Sequence, residues 1–359
     1  MARLNRWLYA AVPAVSFTVI LLSVLKTTSW TGILPMEDGR WSAGPAAEEP
    51  DRIFSSQSDP NCKDFPFYRL ADVQVVLRVG STQPLDQILS NINNVTNCIS
   101  NLMVLSDKEE QIGDTSRRTH DIVADLPEVY WRDENPDLQA HGRINSPDSQ
   151  DEPPNGRDGW LLDRFKFLPM VEYAFTENED ARWFYFIEAD TYVVWDTLFR
   201  LLDRFDAKKE WYMGSPSPGR HLEKGQKTYF AYGGTGILLS RPAIEKLVHR
   251  PNNTKLGQSV EPPLTEEWAQ LVKDDCCGDS VLGFALANKG IFLSGLYPMF
   301  NPHPLHGIPF GPSGKRYWCQ PVLSLHKSSL SDVPVLSEFL RQRPKDVCFS
   351  LFIIFARLN

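Results

Sequence analysis

Several absences narrow the class of this chain. No C-x-x-C occurs among Cys62, Cys98, Cys276, Cys277, Cys319 and Cys348, which argues against a structural zinc module. There is no G-x-x-x-x-G-K and no G-x-G-x-x-G, so neither a P-loop nor a dinucleotide-binding turn is indicated. No basic stripe offsets the acidic balance of 45 Asp and Glu against 37 Lys and Arg. The formal net charge of −8 therefore argues against a nucleic-acid partner. No internal repeat is visible, and a repeat architecture goes with it.

Long uncharged runs are equally scarce, and the exception is informative. "LYAAVPAVSFTVILLSVL" runs from Leu8 to Leu25 behind Arg3 and Arg6, close to the ~20 residues a spanning helix needs. The following "SVLKTTSW" has no small-residue A-x-A site, so an uncleaved signal-anchor is expected rather than a signal peptide. Positive charge on the N-terminal flank places residues 1–7 in the cytoplasm and everything after Lys26 in the lumen. This is the topology of a single-pass type II protein of the Golgi or secretory-pathway membrane. Six cysteines suit that oxidising compartment, as do the sequons Asn94-Val-Thr and Asn252-Asn-Thr. Disulfide connectivity stays open, because six cysteines allow 15 pairings. Vicinal cysteines rarely bond each other, so Cys276 and Cys277 are expected to reach different partners.

What remains is a globular chain. Of 359 residues, 42% are hydrophobic and 23% charged, enough for a sizeable core. Residues 26–60 are polar and aperiodic and read as a flexible stalk, which leaves 61–359 for the folded domain. "DVQVVLRVG" and "NLMVLSD" read as covered strands. The polar stretch from Arg132 to Gly159 reads as a mobile surface loop. "WLLDRFKFLPMVEYAF" has helical spacing, and a strand over Trp183–Ile187 follows. Asp196 is a candidate N-cap for a helix whose face carries Leu198, Leu201, Leu202 and Phe205. "EWYMGS" and "TGILLS" are further strands, and Ser240 with Pro242 marks a helix start. The terminal "VCFSLFIIFARLN" is too short to span a bilayer and reads as a last core strand. The alternation predicts an α/β fold: one mixed central sheet with helices on both faces.

Three segments carry candidate chemistry. Glu188-Ala189-Asp190 follows an aromatic strand, at the carboxyl end where open α/β sheets bind ligands. Taken alone, an acid–x–acid triplet is often a solvated strand end. "AYGGTGILLS" brings Gly233, Gly234 and Gly236 to a turn that allows close backbone approach to a ligand, or is only a turn. "VKDDCCGDSVLG" presents Asp274, Asp275 and Asp279 before a helix, and N-capping is the expected role for two of the three. His326 ends "WCQPVLSLH", where a lone histidine is more often structural than a ligand.

In order, "ARWFYFIEADTYVVWDTLFRLLDRFD", "WYMGS", "YGGTGILLSR" and "DCCGDSVLG" resemble the motifs of the β1,3-glycosyltransferases of glycosyltransferase family 31. Core 1 β1,3-galactosyltransferase and fringe are the nearest in pattern, and the fungal-type branch of the family above all. The resemblance spans about residues 62–330 and implies a GT-A-like fold. It implies that the triplet holds a divalent cation, Mn²⁺ above other choices, on the diphosphate of a UDP-sugar donor. Asp190 takes the principal ligand position and His326 completes the site. Glu188 and Ala189 depart from the family's usual aspartates, which leaves Glu188 as a metal ligand or a donor contact. Gly233, Gly234 and Gly236 fall in the matching glycine turn and are expected to bind substrate. Asp279 of "DSVLG" matches the catalytic base, with Asp275 as runner-up. The implied reaction is inverting transfer of a hexose or N-acetylhexosamine to a glycan or glycoprotein acceptor, with a β1,3 linkage. The alternative is a lumenal chaperone or carbohydrate-binding relative, which loss of triplet or base would mark. Both survive here in modified form.

Overall fold

A computed structural model describes residues 62–342, except 64, 133–134, 147–155, 224, 251, 254–257, 260 and 308–319. The anchor (8–25), the stalk (26–60), Cys319, Cys348 and the expected C-terminal strand lie outside the described residues. Among the described residues, no helix is long and apolar enough to cross a membrane.

Seven strands form the central sheet: β1 (Val73–Arg78), β2 (Met103–Ser106), β3 (His120–Asp121), β4 (Trp183–Glu188), β5 (Tyr212–Gly214), β6 (Ile237–Ser240) and β7 (Ser294–Gly295). Their order is β7-β5-β6-β4-β1-β2-β3. Every pairing is parallel except the two made by β6, which runs against both β4 and β5. All six residues of β1 and the first five of β4 are buried, as expected where both faces of a sheet are covered.

Side-chain alternation divides the core in two. Val73, Val75, Leu77, Tyr185 and Ile187 point to one side, where residues of helices Leu85–Ser90, Trp195–Leu202 and Asp332–Gln342 cover them. Val76, Phe184 and Phe186 point to the other, under helices Phe167–Glu177, Arg241–Val248 and Gly278–Asn288. The mixed sheet with helices on both faces is therefore present. Arg78 and Glu188 share the parity of Val76 and Phe186, so they end their strands on that second face. They are partners in the β1–β4 register.

Local expectations fare unevenly. Ser240 is the extended N-cap of helix Arg241–Val248 with proline in the first turn. Its hydroxyl does not cap, however: it accepts from Trp211 N at 2.8 Å and donates to Lys209 O at 2.7 Å, tying helix to sheet. The N-cap of helix Trp195–Leu202 is Val194, and Asp196 lies inside the first turn. Val194 N donates to the backbone at Leu323 O, 2.8 Å away, and the helix starts there, two residues earlier than an Asp196 cap would place it. The stretch 132–159 is not simply a loop. It holds helix Gln139–Ile144 and the start of helix Gly156–Asp163, pinned by buried Leu138, Ala140 and Ile144. Three apolar anchors among so many polar residues are too sparse to show a period, yet enough to bury one side.

Candidate active site

The strand end that carries the triplet is held by its backbone. Thr191 N donates to Glu188 O at 3.0 Å, and Glu188 N donates to Thr191 Oγ1 at 3.2 Å. Buried Asn91 lies beneath this turn and donates from Nδ2 to the carbonyls of Glu188, Ala189 and Thr191 at 3.2–3.3 Å. Ser328 N closes on Asp190 O at 2.9 Å. Ala189 packs in the apolar core and is 4% exposed. The two flanking carboxylates are left to face the site.

His326 meets them there. It follows the short strand Ser324–Leu325, which pairs with Tyr192–Val193 directly after the triplet. Its Nε2 lies 3.4 Å from Asp190 Oδ2 and 3.9 Å from Glu188 Oε2. Ligand atoms of Glu188, Asp190 and His326 all fall within 4.8 Å of one another. Asp190 Oδ1 and His326 Nδ1 are buried with no hydrogen-bond partner among the described residues. Buried polar atoms are normally paired, and two carboxylates beside an imidazole form a donor set suited to a divalent cation such as Mn²⁺. The residues present fit such an ion.

The glycine turn is packed against this cluster by the protein's own side chains. Thr191 Oγ1 donates to Gly234 O at 2.8 Å, and Ser324 Oγ donates to Thr235 O at 2.6 Å. A Cβ on Gly234 would sit 2.3 Å from His326 Nε2, and one on Gly233 would sit 2.8 Å from the Phe167 ring. Gly236 has φ +91°, with the Tyr185 ring 2.9 Å from a Cβ position. The close approach is thus to His326, Phe167 and Tyr185.

Gly233 also links the triplet to the third segment. Its N–H donates to Asp279 Oδ2 at 2.9 Å, while Ser280 N donates to Asp279 Oδ1 at 2.8 Å. Asp279 is buried, and desolvation pushes its carboxyl above the ordinary aspartate range against these hydrogen bonds. Asp275 differs. Its Oδ2 accepts from Arg220 at 2.6 and 3.0 Å, and its Oδ1 accepts from Cys277 N at 3.0 Å. None of the three aspartates is the N-cap of helix Gly278–Asn288; that position is Cys277. Asp274 ends helix Ala269–Asp274 and Asp275 is its C-cap, because only three residues separate the two helices. Cys276 and Cys277 are bonded to each other, against the expectation, and Cys62 is bonded to Cys98. Both cysteines lie in the three-residue step between the helices, where Cys277 N donates to Asp275 Oδ1.

Sequence reasoning passed over Arg78, Asp163 and Phe167. The buried Arg78 guanidinium bridges Asp163 and Glu188 and lies over the Phe167 ring, 4.0 Å from its centroid. Burial works against its charge, but Asp163, Glu188 and Asp279 raise its pKa overall. Desolvation raises Glu188, with Arg78 opposing. Behind this cluster, buried Lys166 pairs with buried Asp107 at 2.8 Å and donates to Val79 O at 2.9 Å. Burial alone would raise Asp107, yet Lys166 brings it below the usual carboxylate range. The available signal was a charged residue closing each apolar strand: Arg78 after "VQVVL" and Asp107 after "MVLS".

Comparison with known proteins bears on the same residues. A family model described as Fringe-like matches residues 164–289. The beta-1,3-N-acetylglucosaminyltransferase lunatic fringe of Xenopus laevis is 29% identical over 152 residues, 39% of this chain and 37% of that protein. Its counterpart in Danio rerio is 29% identical over 139 residues, 35% of this chain and 36% of that protein. The chain therefore spans little more than a third of the length of the curated relatives it matches. The matched region holds Glu188, Asp190, the glycine turn, Asp275 and Asp279, but neither Arg78 nor His326. Residues 164–289 are a Fringe-like region, and the resemblance of this chain to the β1,3-glycosyltransferases of glycosyltransferase family 31 stands on that region as well as on motif order.

Proposed function

We propose that the protein is a metal-dependent inverting glycosyltransferase of GT-A-like fold, moving a hexose or N-acetylhexosamine from a UDP-sugar to a glycan or glycoprotein acceptor. The observation that carries this reading is the convergence of Glu188, Asp190 and His326 within 4.8 Å at a strand end, inside or beside a Fringe-like region. The β1,3 linkage and the domain plan belong to the same reading: tail 1–7, anchor 8–25, stalk 26–60 and a lumenal domain over 61–359.

Asp190 and His326 hold the divalent cation in this scheme, with Mn²⁺ the best match to the donors. Once bound, the ion neutralises charge developing on the diphosphate as the sugar–phosphate bond breaks. Glu188 is shared: one oxygen is tied to Arg78, and the other faces His326 and Asp190. Asp279 acts as general base. A raised carboxyl pKa brings its basicity closer to what proton removal from an acceptor hydroxyl demands. Gly233 N–H orients the carboxylate, and Arg78 on Phe167 supports both the triplet and the turn. Attack from the side of Asp279, opposite the leaving diphosphate, inverts the anomeric carbon.

The test is a donor panel of UDP-Gal, UDP-GlcNAc, UDP-GalNAc and UDP-Glc with Mn²⁺, scored by UDP release with and without acceptor sugars. Acceptor-dependent release from one donor is expected. Absence of release together with absence of Mn²⁺-dependent UDP binding would remove the reading.

A further inference from the structure

On the face of the sheet away from Arg78 lies a groove of about 650 Å³ that the proposed reaction does not use. That volume is in the range of small-ligand sites, about 300–1,000 Å³. Its floor is a rigid aromatic triad. Phe65 packs edge-on against Trp195 and Phe199, at centroid distances of 6.3 and 6.0 Å. Trp195 is fixed in turn by donating from Nε1 to Val95 O at 2.7 Å. Arg200 and Arg341 supply polar groups on the walls, and exposed Asn94 is part of the lining.

Asn94 opens a sequon, Asn94-Val95-Thr96. We propose that Asn94 carries an N-linked glycan whose first sugars lie in this groove, covering the aromatic floor. This rests on the lumenal placement in the proposed function. In the modification, Asn94 Nδ2 bonds to C1 of a lipid-linked oligosaccharide diphosphate. The bond from C1 to the diphosphate oxygen breaks, and the amide loses one proton. The linked nitrogen keeps its other N–H, so Asn94 can retain its 2.9 Å bond to Ser90 O, which fixes the side chain at the groove. The chemistry of the lining suits a pyranose. Its C–H face packs on an aromatic ring, and its hydroxyls reach arginine and amide groups. Covalent attachment holds the sugars at high effective concentration, so weak contacts are enough.

The experiment uses the full chain expressed in a eukaryotic host and extracted from its membranes in mild detergent. Site occupancy is read by peptide mass spectrometry after enzymatic deglycosylation in heavy-oxygen water, and release rates are compared on native and denatured protein. Expected are occupancy at Asn94 and native release there about tenfold slower than from the chain carrying Arg200→Ala or Arg341→Ala, the span of one hydrogen bond from a charged group. Both arginines are partly exposed, so these variants should fold, which melting temperature checks. Occupied Asn94 released equally fast from wild type and both variants overturns the seating. A chain glycosylated at Asn252 but not Asn94 overturns the site and leaves the lumenal reading intact. A chain with neither glycan overturns both.

Discussion

Two acidic regions of this protein differ in how completely the chain satisfies them. Around Asp275 and Asp279, every carboxylate oxygen has a donor: Arg220 and Cys277 N on Asp275, and the N–H groups of Gly233 and Ser280 on Asp279. At the triplet, the backbone is clamped by Asn91, Thr191 and Ser328, but Asp190 Oδ1 and His326 Nδ1 have no partner among the described residues. Buried groups left unpaired call for an explanation, a bound ion or water among them, and here they belong to the same two side chains whose Oδ2 and Nε2 converge. Satisfied carboxylates are positioned for structure or for proton transfer. On the proposed function, the comparison separates the residues that would hold an ion from the one that would act on a proton.

The largest effect should come from breaking the unsatisfied side. Asp190→Asn is expected to abolish transfer and metal-dependent UDP binding in a soluble, folded fragment lacking residues before about Asp59. The loss should exceed the roughly 10–100-fold that removal of a group merely supporting a ligand costs. Glu188→Gln should be milder, since Arg78 already holds one of its oxygens. Next comes Asp279→Asn, which should cost turnover about two to four orders of magnitude, the range of general base catalysis. Affinity for UDP with Mn²⁺ should stay near that of the wild type. Burial raises the Asp279 carboxyl, and the base works only when ionised. Activity should therefore rise with pH through an acid limb displaced above the ordinary aspartate value of about 3.9. That limb should vanish from the residual activity of Asp279→Asn.

Gly234→Ala sharpens the contrast by touching only packing. A methyl 2.3 Å from His326 Nε2 must displace the imidazole, so Mn²⁺ affinity should fall about 10–100-fold, as for other disturbances of ligand orientation. The protein should remain folded by circular dichroism. The smallest effect belongs to Asp275→Asn. It breaks a partly exposed pair with Arg220, which should shift stability by no more than about 1 kcal/mol and leave turnover nearly unchanged. Loss of turnover there, with Asp279→Asn active, would reassign the base.

The sheet was legible where strands are apolar runs, as in β4 and, apart from Gln74, in β1, because burial on both faces leaves a compositional mark. Glu188 and Asp190 stood out for the same reason: charge directly after such a run is conspicuous. His326 and Asp279 were reached through motif order, since nothing in their neighbours sets them apart from structural residues. Asn91 and Asp163 were invisible because they act through contacts 97 and 85 residues away in sequence. Helix Gln139–Ile144 escaped because its anchors are few. The Cys276–Cys277 bond escaped because a rule about typical pairs says nothing of a step as tight as the one between these two helices.

Calorimetric titration of UDP into wild type, Asp190→Asn and Asp279→Asn, each with Mn²⁺ and with chelator, tests the division of labour most directly. Wild type and Asp279→Asn should bind UDP tightly only with Mn²⁺, and Asp190→Asn should bind weakly and equally in both conditions. Mn²⁺-dependent binding retained in Asp190→Asn, or lost in Asp279→Asn, would contradict the account.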